Sequence, residues 1–294
     1  MSERAVVLAS YGTQGVVERS DGTRSTCSYR RSVGRPICGD RVLLARADGG
    51  DLVVDEILPR HNVFVRADAR QRKQVVAANL DQVAVVIAPA PEPSRDLIER
   101  YLVAVHSLGA RPLIVLNKAE IAKPGDANTP LGRLEDYRAL GYPVVCSSCK
   151  GPPGTEALQA ELAGKVSILV GQSGVGKSSL VNRLLPDLEL QTGDLSRVTG
   201  KGTHTTTTTI MYALPCGGRL IDSPGVWEYG LWKMEPAEIE SGFIEFAPHA
   251  GHCRFNDCRH HTEPGCAIRA AVEAGSIRPW RYESYLRLLA QSGL

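Results

Sequence analysis

The run Gly171-Gln172-Ser173-Gly174-Val175-Gly176-Lys177-Ser178 constrains this chain more than any other segment, because it requires a strand before it and a helix after it. Val166-Ser167-Ile168-Leu169-Val170 supplies the apolar strand, and Ser178-Ser179-Leu180-Val181-Asn182-Arg183-Leu184-Leu185 has the composition of the outgoing helix. Glycines let successive backbone N–H groups turn inward around phosphate oxygens. Lys177 adds a point charge at the terminal phosphates, and the Ser178 hydroxyl suits Mg2+.

A second signal stands on the unexpected side of the first. Asn117-Lys118-Ala119-Glu120 follows the apolar strand Leu113-Ile114-Val115-Leu116 and precedes the phosphate loop, whereas in an ordinary GTP-binding domain the base-reading element comes near the end. The order implies a circularly permuted α/β domain. A carboxylate at Glu120 accepts from the N1–H and exocyclic amine of guanine. Adenine offers neither donor there, and unpaired buried partners discriminate strongly against it. Ser147-Ser148-Cys149, after the strand Pro143-Val144-Val145-Cys146, is placed to present backbone N–H to the guanine O6.

Downstream, Leu220-Ile221-Asp222-Ser223-Pro224-Gly225 reads as a strand ending in Asp-x-x-Gly. Asp222 is expected to hold Mg2+ through a water, and the Gly225 N–H to meet the γ-phosphate. Between the two lies Gly200-Lys201-Gly202-Thr203-His204-Thr205-Thr206-Thr207-Thr208-Thr209, where Thr205 is the expected hydroxyl ligand of Mg2+.

The flanks differ from this centre. Residues 1–66 alternate short strand candidates (Val6-Val7-Leu8, Val16-Val17, Arg41-Val42-Leu43-Leu44, Leu52-Val53-Val54) with turns such as Ser20-Asp21-Gly22. They read as an all-β barrel of the oligonucleotide-binding type, either RNA-facing or merely packed on its neighbour. The basic stretch Arg66 to Lys73 marks the boundary before a nucleotide-binding domain at 74–230. The β-branched run Val83-Ala84-Val85-Val86-Ile87 there is typical of a strand covered on both faces, and Asp96 to Leu108 is helix-like. Residues 231–294 form a third, mostly helical module, with Ala267–Ala274 and Trp280–Leu289 as helices. Cys253, Cys258, His260 and Cys266 supply three thiolates and an imidazole, enough to close a tetrahedral structural Zn2+ site. His261 competes with His260, and His252 and His249 follow. Metal explains that crowding better than disulfides.

A net charge of +2 does not by itself demand nucleic acid. No stretch approaches the roughly 20 apolar residues of a spanning helix, so no membrane contact and a cytoplasmic monomer are expected.

Gly171 to Leu180, Gly202-Thr203-His204-Thr205-Thr206-Thr207, Asp222-Ser223-Pro224-Gly225 and the terminal Cys/His cluster together resemble the circularly permuted, small-subunit-dependent GTPase family of bacteria, RsgA. The resemblance covers essentially the whole chain. It implies an oligonucleotide-binding barrel, a permuted GTPase domain and a zinc domain, with GTP/GDP and Mg2+ as ligands. It implies the 30S subunit and its ribosomal RNA as partners, and subunit-stimulated GTP hydrolysis late in 30S maturation. Two departures stand out: Glu120 replaces the usual Asp and places its carboxylate one methylene further out, with guanine selectivity expected to survive in looser form, and Val226 occupies the place of the glutamine that orients attacking water in many GTPases. In the resembling family a switch histidine is the candidate for that task. It maps to His204, which is read either as the water-positioning group or as an RNA-contacting switch residue.

Two other readings exist: a nucleotide-regulated RNA binder with vestigial hydrolysis, and an ATP-using P-loop enzyme that Asn117-Lys118 disfavours. Arg254, Arg259, Arg269, Arg278, Arg281 and Arg287 near the Cys/His cluster, with Arg30, Arg31 and Arg35 on the barrel, suit phosphate-backbone contacts. The permuted order also leads Asp222–Val226 almost directly into the C-terminal module, which suggests that the switch is wired to that module.

Overall fold

A computed structural model describes residues 3–47, 49–67, 73–123, 129–188, 208–223 and 234–292. Five strands, β1 (Glu3–Tyr11), β2 (Gln14–Arg19), β3 (Arg24–Tyr29), β4 (Arg41–Arg46) and β5 (Leu52–Ile57), form the N-terminal unit. β1 pairs with both β2 and β4, and β3 pairs with β5, so the ring β1-β2-β3-β5-β4 closes on itself and leaves no free edge. Ala5, Val7, Val17, Cys27, Val42, Leu44 and Val54 fill it.

Between barrel and centre lies a two-stranded hairpin, β6 (Val63–Ala67) and β7 (Lys73–Ala78), where the sequence suggested only a basic boundary. It is strapped to the barrel at Cys38 and Gly39. Ala78 N donates to the Cys38 carbonyl at 2.9 Å and Asn79 Nδ2 to the Gly39 carbonyl at 2.9 Å. Buried Asp40 holds Arg60 through two bonds of 2.6 and 2.7 Å.

The centre is a parallel sheet: β8 (Gln82–Ile87), β9 (Arg111–Leu116), β10 (Val144–Cys146), β11 (Val166–Val170) and β13 (Arg219–Asp222), with β12 (Ile210–Ala213) antiparallel beside β13. The spatial order is β10-β9-β8-β11-β13-β12. Every residue of β8 is buried, as its unbroken apolar run requires. Helices α1 (Leu97–Leu108), α2 (Leu134–Ala139), α3 (Glu156–Leu162) and α4 (Lys177–Leu184) are interspersed with these strands along the chain. The sheet continues into the barrel, because β12 pairs with β1 at Ile210 and Ala9, and Arg219 pairs with Glu18 of β2.

The C-terminal module comprises α5 (Pro236–Ser241), α6 (Ala267–Glu273) and α7 (Pro279–Gln291). Tyr285 and Leu289 of α7 are buried and Tyr282 and Leu286 half-buried, as the helical spacing predicts. Arg281 is a correction to the expected basic surface, since it is only 1% exposed. Its guanidinium donates to Glu245 at 2.5 and 3.1 Å, lies 3.6 Å from Glu99 of α1, and stacks 4.3 Å above the Phe243 ring. Burial opposes its charge, but Glu245 and Glu99 raise its pKa further still. Burial likewise raises the Glu99 carboxyl's pKa, with Arg281 and the Tyr137 hydroxyl pulling the other way. Arg287 is also engaged, bonding both oxygens of Asp96 at 2.9 to 3.1 Å. The module is therefore bolted to α1 and α2. No helix among the described residues is long and apolar enough to cross a membrane.

Removing one member of a buried ion cluster strands the others. Arg281→Met is expected to destabilise the protein by about 3–5 kcal/mol, read as a lowered urea midpoint, whereas Arg278→Met on the exposed side of the same helix start leaves it within about 0.5 kcal/mol.

Candidate functional site

Because β8, β9, β10, β11 and β13 run parallel, their C-terminal ends share one edge, and the direction of winding reverses between β8 and β11. Ligands of open α/β sheets collect at such a reversal. Asn117, Ser147, Gly171 and Asp222 all stand there, at or one residue past their strand ends. The ladder carries on through the first two, with Asn117 N donating to the Ile87 carbonyl and Ser147 N to the Leu116 carbonyl, both at 2.8 Å.

The phosphate loop joins β11 to α4. Gly171 has φ 143°, and a Cβ there would sit 2.1 Å from the Val86 carbonyl oxygen, so only glycine lets the loop leave the sheet at this point. Gly176 precedes α4 with φ 95°, and a Cβ would come 2.5 Å from Asn117 Nδ2. Ser173, Gly174, Ser178 and Ser179 are exposed, while Val175 is buried as the loop's apolar anchor. Lys177 Nζ donates to the carbonyls of Gly171 and Gln172, both at 2.6 Å. Burial lowers its pKa to about 8.

The base-reading motif is bonded into this loop. Asn117 Nδ2 donates to the Val175 carbonyl at 2.9 Å. Lys118, in the left-handed region with φ 56°, donates to the Gly174 carbonyl at 2.7 Å and to the Ala90 carbonyl at 2.6 Å. Of these three acceptors, Ala90 lies outside every motif legible in the sequence, because a backbone carbonyl carries no residue-type signal. Ala119 N donates to the Ser147 carbonyl at 3.1 Å, which brings the 147–149 loop against the motif. Ser148 is buried, its Oγ accepting from the backbone N–H of Lys150 and Gly151, both at 3.1 Å. A bond from Ser148 holds the exposed Glu120 carboxylate below its ordinary pKa. Cys149 is half-buried beside it, and burial raises its thiol.

Asn117 Oδ1, Ser147 Oγ and Gln172 Oε1 are buried without a hydrogen-bond partner among the described residues. Unpaired buried polar atoms cost about 1–3 kcal/mol each, and their grouping at one sheet edge fits a polar ligand. Asp222 is exposed at the end of β13. His204, Thr205, Gly225 and Val226 lie outside the described residues.

The chain's fold and motifs have close counterparts. A family model described as RsgA GTPase matches residues 57–232. The small ribosomal subunit biogenesis GTPase RsgA of Pseudomonas aeruginosa (strain LESB58) is 46% identical over 284 residues, 97% of this chain and 84% of the relative. The chain belongs to the RsgA GTPase family. Its namesake in Azotobacter vinelandii is 46% identical over 292 residues, 98% of this chain and 85% of the relative. The crystal structure of YjeQ from Thermotoga maritima aligns over 99% of both chains at 30% identity and a TM-score of 0.79. YloQ, a circularly permuted GTPase, shows the same fold at 24% identity, with a TM-score of 0.76 over 99% of this chain and 95% of its own. As an RsgA-family member the chain is a GTP hydrolase, with a closed barrel, a permuted GTPase domain and a C-terminal Cys/His module.

That module gathers its four donors. The ligand atoms of Cys253, Cys258, His260 and Cys266 lie within 4.8 Å of one another. His260 Nδ1 is 3.5 Å from Cys253 Sγ and 3.3 Å from Cys266 Sγ, and its Nε2 is 3.5 Å from Glu240. The Ala267 and Arg269 N–H groups donate to Cys253 Sγ at 3.3 Å and Cys266 Sγ at 3.5 Å, which suits thiolates. Of the competing histidines, His261 and His252 are exposed.

Lys177 generates a pH prediction. With a pKa near 8 roughly half of this amine is neutral at pH 8, and phosphate favours its charged form. GTP binding is therefore expected to take up close to half a proton at pH 8 and little at pH 6.5, measured by calorimetry in buffers of different ionisation enthalpy. Lys177→Met abolishes the difference.

Proposed function

We propose that this GTPase acts on the small ribosomal subunit during its late maturation, in the cytoplasm and as a monomer, and that the subunit stimulates its GTP hydrolysis. The relatives at 46% identity are small ribosomal subunit biogenesis GTPases, and the match extends over nearly the whole chain, flanking modules included. The observation that carries the reading is the bonding of Asn117 and Lys118 into the phosphate loop across 56 to 58 residues of sequence. A base reader and a phosphate cradle joined in this way form one site for one nucleotide.

In that site the loop Gly171 to Ser179 binds the phosphates, with Lys177 leaving its carbonyl acceptors for the ligand's oxygens. Glu120, oriented by Ser148, accepts from guanine, and the 147–149 backbone faces its O6. Ser178 and Thr205 would hold Mg2+ directly and Asp222 through a water, and the ion would supply charge neutralisation for the phosphates. Gly225 meets the γ-phosphate. His204 positions the attacking water, a task for which Val226 is unsuited. One Zn2+ on Cys253, Cys258, His260 and Cys266 closes the C-terminal module, with four protein ligands and no open coordination position. The same reading divides the chain into units at 1–66, 74–230 and 231–294, although the β6–β7 hairpin spans the first boundary: the first and third grip ribosomal RNA, and the second carries the nucleotide.

Turnover with and without purified 30S subunits tests the reading. Stimulation of roughly 10³-fold is expected, the low end of the roughly 10³–10⁵ that an ordering partner or supplied charge contributes in related switches. Equal rates would refute it. His204→Ala is expected to keep GTP affinity and lose most of the stimulated rate; full stimulated turnover in that variant removes the water-positioning role.

Metal analysis of protein purified without chelator is expected to return one zinc per chain, and Cys266→Ser to return well below one. A zinc-free native protein overturns the assignment.

A further inference from the structure

Phe255 is one of only three large apolar side chains exposed among the described residues, at 41%. Its position is not casual. It sits in the short loop between Cys253 and Cys258, two members of the four-donor cluster. Cys258 N donates to the Phe255 carbonyl at 3.3 Å, and Arg254 N to the Gly265 carbonyl at 3.0 Å, which ties the loop to the turn before Cys266. The Arg254 guanidinium lies 5.5 Å from the centre of the Phe255 ring.

The surrounding charges are uneven. Arg254 and Arg259 are exposed, with Arg269 nearby on α6. Of the neighbouring acids, Glu263 turns its carboxylate inward onto the backbone N–H groups of Arg259, His261 and Thr262 at 2.9 to 3.0 Å, which lowers its pKa to about 2; Asp257 remains exposed. An exposed aromatic ring on a hydrogen-bonded loop, with a guanidinium beside it, matches what an unstacked nucleobase and its phosphate require: a π surface for the base and a cation for the backbone. A paired helix offers no free base face to it. Nothing in the nucleotide site or the zinc cluster needs an exposed ring at this place.

We propose that Phe255 and Arg254 form a base-stacking platform that receives one unpaired nucleotide of RNA. The platform rests on the reading of the C-terminal module as RNA-facing, and gives it a substrate preference: single-stranded over paired RNA.

The test uses the full-length, zinc-loaded protein and two fluorescent probes, a 12-nucleotide single-stranded oligoribonucleotide and the same strand in a full duplex. Phe255→Ala is expected to weaken single-strand binding about 5- to 100-fold and leave duplex binding unchanged. Phe255→Trp keeps or tightens it. Arg254→Gln lowers single-strand affinity and reduces the slope of log affinity against log salt by about one. Zinc content and GTP turnover without subunits stay at wild-type values in all three. If Phe255→Ala costs zinc, the Phe255→Trp and Arg254→Gln results decide. Unchanged single-strand binding overturns the platform, as does an equal loss for single strand and duplex. So does a loss of affinity for the 30S particle with oligonucleotide binding intact, since that assigns the ring to a protein partner. Absent 30S stimulation together with Phe255-dependent single-strand binding would sink the reading of the function and leave the platform standing.

Discussion

The pairing of β8 with β11 is the constraint on which the rest of the molecule depends. β8 opens the central domain and β11 arrives some eighty residues later, yet Ser167 to Val170 pair in register with Gln82 to Val85 in the buried middle of the sheet. That insertion puts the phosphate loop between the base-reading strands on one side and the strand ending in Asp222 on the other. It is driven by burial rather than by any polar recognition, since Val83 to Ile87 are wholly inaccessible and each Val or Ile among them contributes about 1.5–3 kcal/mol relative to exposure. A permuted chain can build the same site as an unpermuted one because the sheet needs only the strand order, not the order of synthesis.

The two flanking modules are attached by different physics. The barrel joins through backbone pairing, with β1 extending the sheet at β12, and through the Arg219–Glu18 pair beside it. The C-terminal module joins through side chains, with Arg281, Glu245 and Glu99 forming a buried ion cluster walled by Phe243 and Tyr137. Its principal anchorage is thus on α1 and α2, the helices of the base-reading half. Covalent continuity from Asp222 into that module, suggested by the permuted order, is only one of its connections. An account of nucleotide-dependent movement must include the anchor at Arg281, whose partners resist separation because unpaired charges would be left in an apolar setting.

The legibility of the sequence followed the kind of signal each element carries. The phosphate loop, the proposed base-reading motif and the Cys/His cluster are legible as residue types at short spacing, and the fold brings the residues of each together. β3 carries no strand signal of its own, because Arg24-Ser25-Thr26-Cys27-Ser28-Tyr29 contains one buried apolar residue and owes its structure to pairing with β2 and β5. The β6–β7 hairpin was read as a boundary for a related reason, since a charged stretch within it masks the pairing of two short strands. Arg281 was read as surface because an arginine in an amphipathic helix ordinarily is.

Residue type and spacing alone mark out the candidate phosphate loop, the candidate guanine-reading motif and a cluster of metal-ligand type, and show that their order along the chain is permuted. These are properties of local spacing, for which a few consecutive side chains suffice. Only the tertiary structure decided that Asn117 and Lys118 bond to the carbonyls of Val175, Gly174 and Ala90, and that Arg281 is a buried anchor. Phe255 likewise stands exposed between two members of the Cys/His cluster. Those outcomes depend on which surfaces meet across long stretches of chain, and burial, not residue type, sets whether a charge or a ring faces protein or water.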